Sequence, residues 1–92
     1  MGFSVKFNWV LQATPPALLE INAAYVFRKK GNRIFPLDTP IDLIDMERNA
    51  IAKIKIINFQ NTLENTQGEY EIIKVYSGDE KRILTNYWIE NQ

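Results

Sequence analysis

The sequence predicts a mainly β fold in one small domain: an antiparallel barrel or meander of about six strands, with at most one or two short helical turns. Three observations carry this reading. Apolar and polar residues alternate with period two over several segments, as half-buried strands require. Gly, Pro, Asn and Asp fall between those segments at spacings that suit short turns. The chain has 92 residues, 46% hydrophobic and including five Phe, four Tyr and two Trp, which suffices for one thin core and not for two.

The first segment, 3–12, places Phe3, Val5, Phe7, Trp9 and Leu11 on one face and predicts a strand. Thr14-Pro15-Pro16 breaks it, because proline cannot donate to a ladder, and Thr14 can cap a short helical turn through Leu19. Ile21 to Arg28 reads as a second strand on the strength of Tyr25-Val26-Phe27, with a helical reading of 17–24 in competition. Lys29-Lys30-Gly31-Asn32 predicts a tight hairpin turn, and Arg33-Ile34-Phe35 the start of the return strand. Pro36 and Pro40 confine that return segment to an edge or a loop. Residues 41–45 suit a short strand, whereas Thr39-Pro40-Ile41-Asp42 suits one or two helical turns over 41–48; both readings stand. Ala50 to Gln60 is a strand in which Ile56-Ile57 slips the apolar phase by one, as a β-bulge does. Asn61 to Gly68 reads as a polar connector, Glu69 to Ser77 as a strand, and Lys81 to Glu90 as a final strand after a Ser77-Gly78-Asp79-Glu80 turn.

Composition narrows the chemistry. Eleven basic residues balance eleven acidic ones, so no net field draws the chain to polyanions or anionic lipid. Neither His nor Cys occurs, which removes zinc fingers, Cys–His and Ser–His dyads, disulfides and redox dithiols. The four glycines, at 2, 31, 68 and 78, form no phosphate loop. No apolar run spans a membrane and the first residues do not resemble a signal peptide, so a cytosolic location is expected. Ser4, Ser77, carboxylates, Lys and Tyr are present, but no spacing sets a nucleophile beside a base; the expectation is a non-enzymatic protein with no cofactor and no metal.

Two surfaces stand out. Arg28, Lys29, Lys30 and Arg33 group at the predicted turn, with Tyr25 and Phe35 beside them. Such a cluster can contact phosphates while aromatics stack bases, and equally can keep a sheet edge soluble. Trp9, Tyr87 and Trp88 lie on the two terminal segments, expected to pair and close the barrel, and an exposed aromatic there near Tyr76 and Val10 makes a protein-partner or self-association patch. Asp38, Asp42, Asp45 and Glu47 come after the basic turn; oxygen ligands of this kind suit Ca²⁺ or Mg²⁺, but the spacing is not an EF-hand and turn chemistry explains them as well. The expected function is a protein-interaction or binding module, with RNA or another polyanion at residues 28–33 as the alternative.

The stretch Tyr25-Val26-Phe27-Arg28-Lys29-Lys30-Gly31-Asn32-Arg33-Ile34-Phe35-Pro36-Leu37-Asp38-Thr39-Pro40-Ile41 resembles a family of small uncharacterised bacterial proteins classed as a domain of unknown function. Its pattern is aromatic-x-apolar-x-Lys-x-Gly-x-Arg-apolar-aromatic-Pro-Leu-Asp-x-Pro-Ile, and Met1-Gly2 with Asn8 is similar to its start. The resemblance implies a compact β-rich fold and carries over no catalytic residue. Thr14-Pro15-Pro16 and Tyr87-Trp88 depart from it. At the level of fold alone, the chain is similar to small RNA-associated barrels of the PUA-like or SH3-like kind.

Overall fold

A computed structural model describes residues 6–92. Five strands, β1 (Val10–Gln12), β2 (Ala24–Lys30), β3 (Pro40–Ile44), β4 (Ala50–Asn61) and β5 (Asn65–Val75), form one sheet, followed by a helix, α1 (Gly78–Glu90). The sheet order is β1-β3-β4-β5-β2, and it curls into a half-barrel with β1 and β2 at its edges. Its framework is the long β4–β5 hairpin, with antiparallel β3 on one side and antiparallel β2 on the other. β1 joins β3 in parallel, Leu11 opposite Leu43.

The mainly β single domain is what the sequence predicts. Alternation explains the core: Leu11, Phe27, Ile41, Leu43, Ala52, Ile54, Ile56, Tyr70 and Ile72 are buried together on one face. Phe27 meets Phe35 edge-to-face at 5.5 Å, and Phe35 meets Phe59 in the same way at 5.9 Å. The phase slip at Ile56-Ile57 is a register shift between Ile56 and Asn58 against β5.

Several segments differ from the sequence reading. Residues 78–90 form a helix of 13 residues where a closing strand is expected over 81–90. Asp79 and Glu80 occupy its first turn, where the helix dipole favours carboxylates. Arg48 supplies the cation at the other end, donating from Nε to the Trp88 carbonyl at 2.6 Å and from a terminal nitrogen to the Asn91 carbonyl at 3.3 Å. The first strand is three residues long, Val10 to Gln12 paired with Asp42 to Ile44; Phe3 and Val5 lie outside the described residues. The second strand begins at Ala24 and runs on to Lys30; no helix forms over 14–24, and Asn22 turns the chain at φ +70. No return strand succeeds the basic turn. Instead β2 pairs with β5, and residues 31–38 cross the sheet, where Phe35 and Pro36 are buried and the Asp38 N–H donates to the Ile56 carbonyl at 2.9 Å. Residues 40–44 are strand, and Asp45 opens a loop rather than a helical turn. Among the described residues, no helix is long and apolar enough to cross a membrane.

Candidate functional site

Asp42 stands between Ile41 and Leu43, both buried in the core, so its carboxylate points to the opposite face of the sheet. On that face the Tyr76 hydroxyl donates to Oδ1 at 2.5 Å and the Trp88 indole N–H donates to Oδ2 at 2.8 Å. Tyr76 comes just after β5 and is 3% exposed, while Trp88 belongs to the last turn of α1. One carboxylate therefore fixes a side chain from the sheet's end and another from the helix. Lys81, Leu84, Thr85 and Trp88, spaced by three and four residues, form the half-buried side of α1, and Thr85 Oγ1 accepts the Ala50 N–H at 3.0 Å.

Beside this junction lies a cleft of about 630 Å³, large enough for a small molecule or a few peptide side chains. Asp42 and Tyr76 contribute its polar floor, and Pro40, Ile83 and Leu84 its apolar walls. Trp9 and Trp88 line it as well. Trp9 is 56% exposed and Ile83 57% exposed, so the rim presents apolar surface to water. Glu80 and Lys53 supply the remaining charges; Glu80 pairs with Lys74 at 2.8 Å, and Lys53 faces Asp42 across the β3–β4 register. Burial first, then the hydrogen bond to Asp42 and the charges of Asp42 and Glu80, push the Tyr76 hydroxyl far above the ordinary tyrosine value.

The four aromatic residues singled out in the sequence thus meet, though not by closure of a barrel. Trp9, Tyr76 and Trp88 share the cleft, and Tyr87 packs edge-to-face on Trp88 at 4.8 Å with half of its own surface exposed. Tyr76 is the correction within this set: its hydroxyl and ring are buried, and it serves as a support rather than a contact surface. Asp42, Glu80 and Ile83 were not read as part of this patch. A carboxylate at the outward position of an otherwise apolar strand was the available signal for the first of them.

The basic cluster is divided by the strand that carries it. Arg28 and Lys30 are exposed, whereas Lys29 alternates to the inner side and its ammonium donates to the Gln12 carbonyl of β1. Burial, then the nearby Arg33 charge, lowers the Lys29 pKa. Arg33 turns back, Nε donating to the Lys30 carbonyl at 3.3 Å. Phe35 is 2% exposed and has no free face on which to stack a base. Tyr25 is half-buried, its hydroxyl donating to the Leu18 carbonyl at 2.8 Å and accepting the Glu20 N–H at 3.1 Å.

The acidic residues are dispersed too. Asp38 meets Lys55 at 3.4 Å, Asp42 holds Tyr76 and Trp88, and Asp45 accepts from its own loop. Among the described residues no group of three or more carboxylates forms a metal site.

No family model matches the chain, and no curated protein matches it significantly. Among solved structures, the chain is similar to the X-ray structure of protein ytmB from Bacillus subtilis, a structural genomics target. The two share 21% sequence identity with a TM-score of 0.63, over 86% of this chain and 99% of that one. At that identity the likeness establishes the fold alone.

Proposed function

We propose that the chain is a non-enzymatic protein-interaction module that docks a segment of a partner protein in the cleft between α1 and β3. One observation carries this reading: an exposed tryptophan, Trp9, and an exposed helical residue, Ile83, line a cleft whose floor is held together by hydrogen bonds, with exposed Tyr87 packed on Trp88 beside it. Large aromatic anchors at the margin of a well-formed pocket are where binding energy concentrates in protein interfaces. The tie of Asp42 to Tyr76 and Trp88 supports a static role, since it holds these side chains to one another. A chain without cysteine suits the reducing cytosol.

The test is selection of a random peptide library on the intact chain, followed by titration of selected peptides against variants. Trp9→Ala and Ile83→Glu should each weaken binding by roughly 10- to 100-fold, the loss of about 1.4–2.8 kcal/mol expected of an interface anchor. Leu63→Ala, at the fully exposed tip of the β4–β5 hairpin, should leave binding unchanged. Binding that survives both cleft variants would place the interaction elsewhere. Salt-sensitive binding to mixed RNA, lost on joint Arg28→Glu and Lys30→Glu substitution, would replace this reading with the polyanion one.

A further inference from the structure

We propose that the seam between β1 and β2 is an anion site for a phosphoryl group, carried by free phosphate or by a small phosphate monoester, with Lys29 and Arg33 as its ligands and Lys6 and Lys30 at its mouth. This goes beyond the docking reading and uses other residues.

Two cavities adjoin here. The inner one, of about 200 Å³, is lined by Lys29 of β2, by Arg33 and Phe35 of the crossing segment, and by Val10 and Gln12 of β1. The outer one, of about 520 Å³, is lined by Lys6, Phe7, Lys30 and Asn32. Asn8 and Arg33 line both. In a chain whose charges balance, no Asp or Glu lines either cavity. Nor is the positive charge answered from nearby. The ion pairs among the described residues join Lys55 to Asp38 and Glu71, Lys74 to Glu80, and Arg82 to Asp79, and none involves Lys6, Lys29, Lys30 or Arg33. Residues 1–5, which precede Lys6, include no acid. Glu64 meets the turn through its carbonyl, which accepts the Gly31 N–H, and the Asp45 carboxylate is engaged within its own loop. Arg48 also lines the inner cavity, but its charge is directed at the carbonyls ending α1 and is not counted here.

Lys29 and Arg33 are thus half-buried cations that repel one another. Burial and the Arg33 charge lower the Lys29 pKa, and no carboxylate opposes them. Both keep free donors. Lys29 uses one of its three on the Gln12 carbonyl; Arg33 uses Nε on the Lys30 carbonyl, and among the described residues its terminal nitrogens have no acceptor. A phosphoryl group suits this pair. As a monoester it carries about −1.5 to −2 at neutral pH, enough for two cations, whereas a carboxylate would answer one. Its oxygens can take the planar arginine fork and the lysine point charge together. The inner cavity has room for the phosphate, and the outer one, with its exposed Phe7 ring, for an organic remainder.

The intact chain is titrated with inorganic phosphate, adenosine monophosphate and glycerol phosphate at constant ionic strength, with acetate, adenosine and glycerol as comparisons. Calorimetry gives the affinity and thermal denaturation the stabilisation. At about 10 mM the phosphate-bearing probes should raise the thermal midpoint by about 4 °C or more, and the comparisons by less than about 1 °C. Arg33→Gln should weaken phosphate binding roughly tenfold or more, and Arg33→Lys only about threefold, since it keeps the charge and loses the fork. Each variant is compared with itself in chloride, so a change in its intrinsic stability does not enter the shift. If Arg33→Gln unfolds, Lys29→Met carries the test, and its phosphate shift should vanish. Arg82→Gln, on α1 and outside the site, should bind as the native chain does. Tighter binding of a monoester than of free phosphate assigns an organic ligand, equal affinity assigns phosphate itself, and both uphold the site. A shift no larger than that of acetate overturns the proposal, as does one retained in Arg33→Gln. RNA without a terminal phosphate that binds more tightly than every monoester, and is lost on Arg28→Glu with Lys30→Glu, also overturns it in favour of nucleic acid. A failed phosphate titration leaves the docking reading standing, and a failed peptide selection removes that reading alone.

Discussion

At the scale of single residues, Gly68 leaves no room for a side chain. A Cβ there would lie 2.1 Å from the Asn58 carbonyl oxygen and 2.8 Å from the Phe59 Cα. Both obstacles are backbone, which cannot rotate aside as a side chain does. Gly68→Ala should therefore destabilise by about 3 kcal/mol, the upper end of overpacking costs, and lower the thermal midpoint by at least about 10 °C. Gly31 offers the contrast: its φ of +87 disfavours a side chain but nothing lies within 4 Å, so Gly31→Ala should cost only about 1 kcal/mol. Equal losses in the two variants by thermal denaturation would contradict the close-approach argument. The sequence does not disclose this difference. The requirement at Gly68 arises where β4 slips register between Ile56 and Asn58, and although the Ile56-Ile57 phase slip is legible, the residue it crowds on the neighbouring strand is not. Phe35 fails for a related reason: aromaticity beside a basic turn reads the same whether the ring faces water or Phe27 and Phe59.

At the scale of elements, α1 shows how a helix without a fully buried residue is kept in place. Thirteen residues are marginal as an isolated helix, so its order depends on Asp42, Thr85 and Arg48. Arg48 reaches the helix from a loop in which it adopts φ +69, and Asp45 shapes that loop. Asp45 Oδ1 accepts the Glu47 N–H at 3.0 Å and the Asn49 N–H at 2.8 Å, and Oδ2 accepts the Asn49 side-chain amide at 3.1 Å. Burial alone would raise the Asp45 pKa; the Asn49 and Glu47 bonds, with Lys81 nearby, outweigh it and hold the carboxyl below its ordinary 3.8. A depressed carboxyl pKa contributes stability above the unfolded value, and that contribution is lost as pH falls through the folded value. Stability of the native chain should thus fall more steeply below pH 3.8 than that of Asp45→Asn, and amide exchange along 78–90 should quicken before that of β4 and β5. Parallel pH profiles for the two proteins would remove Asp45 as the cause. This helix was legible in the sequence, though not by the alternation that finds strands. Apolar pairs at Ile83-Leu84 and Tyr87-Trp88 recur after four residues, and Ser77-x-x-Glu80 has the form of a capping box, both of which are helical signals. β4 was legible because Ala50 to Ile56 alternates, and β5 from Glu69 onward; its first residues, 65–68, read as a connector because they are polar, and β1 depends on a parallel partner that no local pattern reveals.

At the scale of the whole molecule, an open half-barrel leaves two strand edges, and Lys29 governs the seam between them. Its neighbours Arg28 and Lys30 face solvent, but Lys29 turns inward from edge strand β2 and donates to the Gln12 carbonyl of edge strand β1. An inward charge on an edge strand discourages pairing with another chain, because a docking strand would have to bury it. The same charge burdens folding. Burial, then Arg33, lowers the Lys29 pKa, so the native state is weakened while the ammonium is charged, and stability rises as pH climbs from the folded value toward 10.5. Lys29→Met keeps the length of the stem and removes the charge. Its thermal midpoint at neutral pH should equal or exceed that of the native chain, and its alkaline rise in stability should vanish. Its apparent mass by light scattering should increase with concentration, whereas Lys30→Ala, at an exposed position, should stay at the native mass. A lower midpoint with unchanged mass would mean that the bond to Gln12 stabilises the seam more than the buried charge costs. The balanced charge of the chain conceals this arrangement: of the four cations between 28 and 33, one guards an edge, one folds back on the turn, and Arg28 and Lys30 remain to meet solvent.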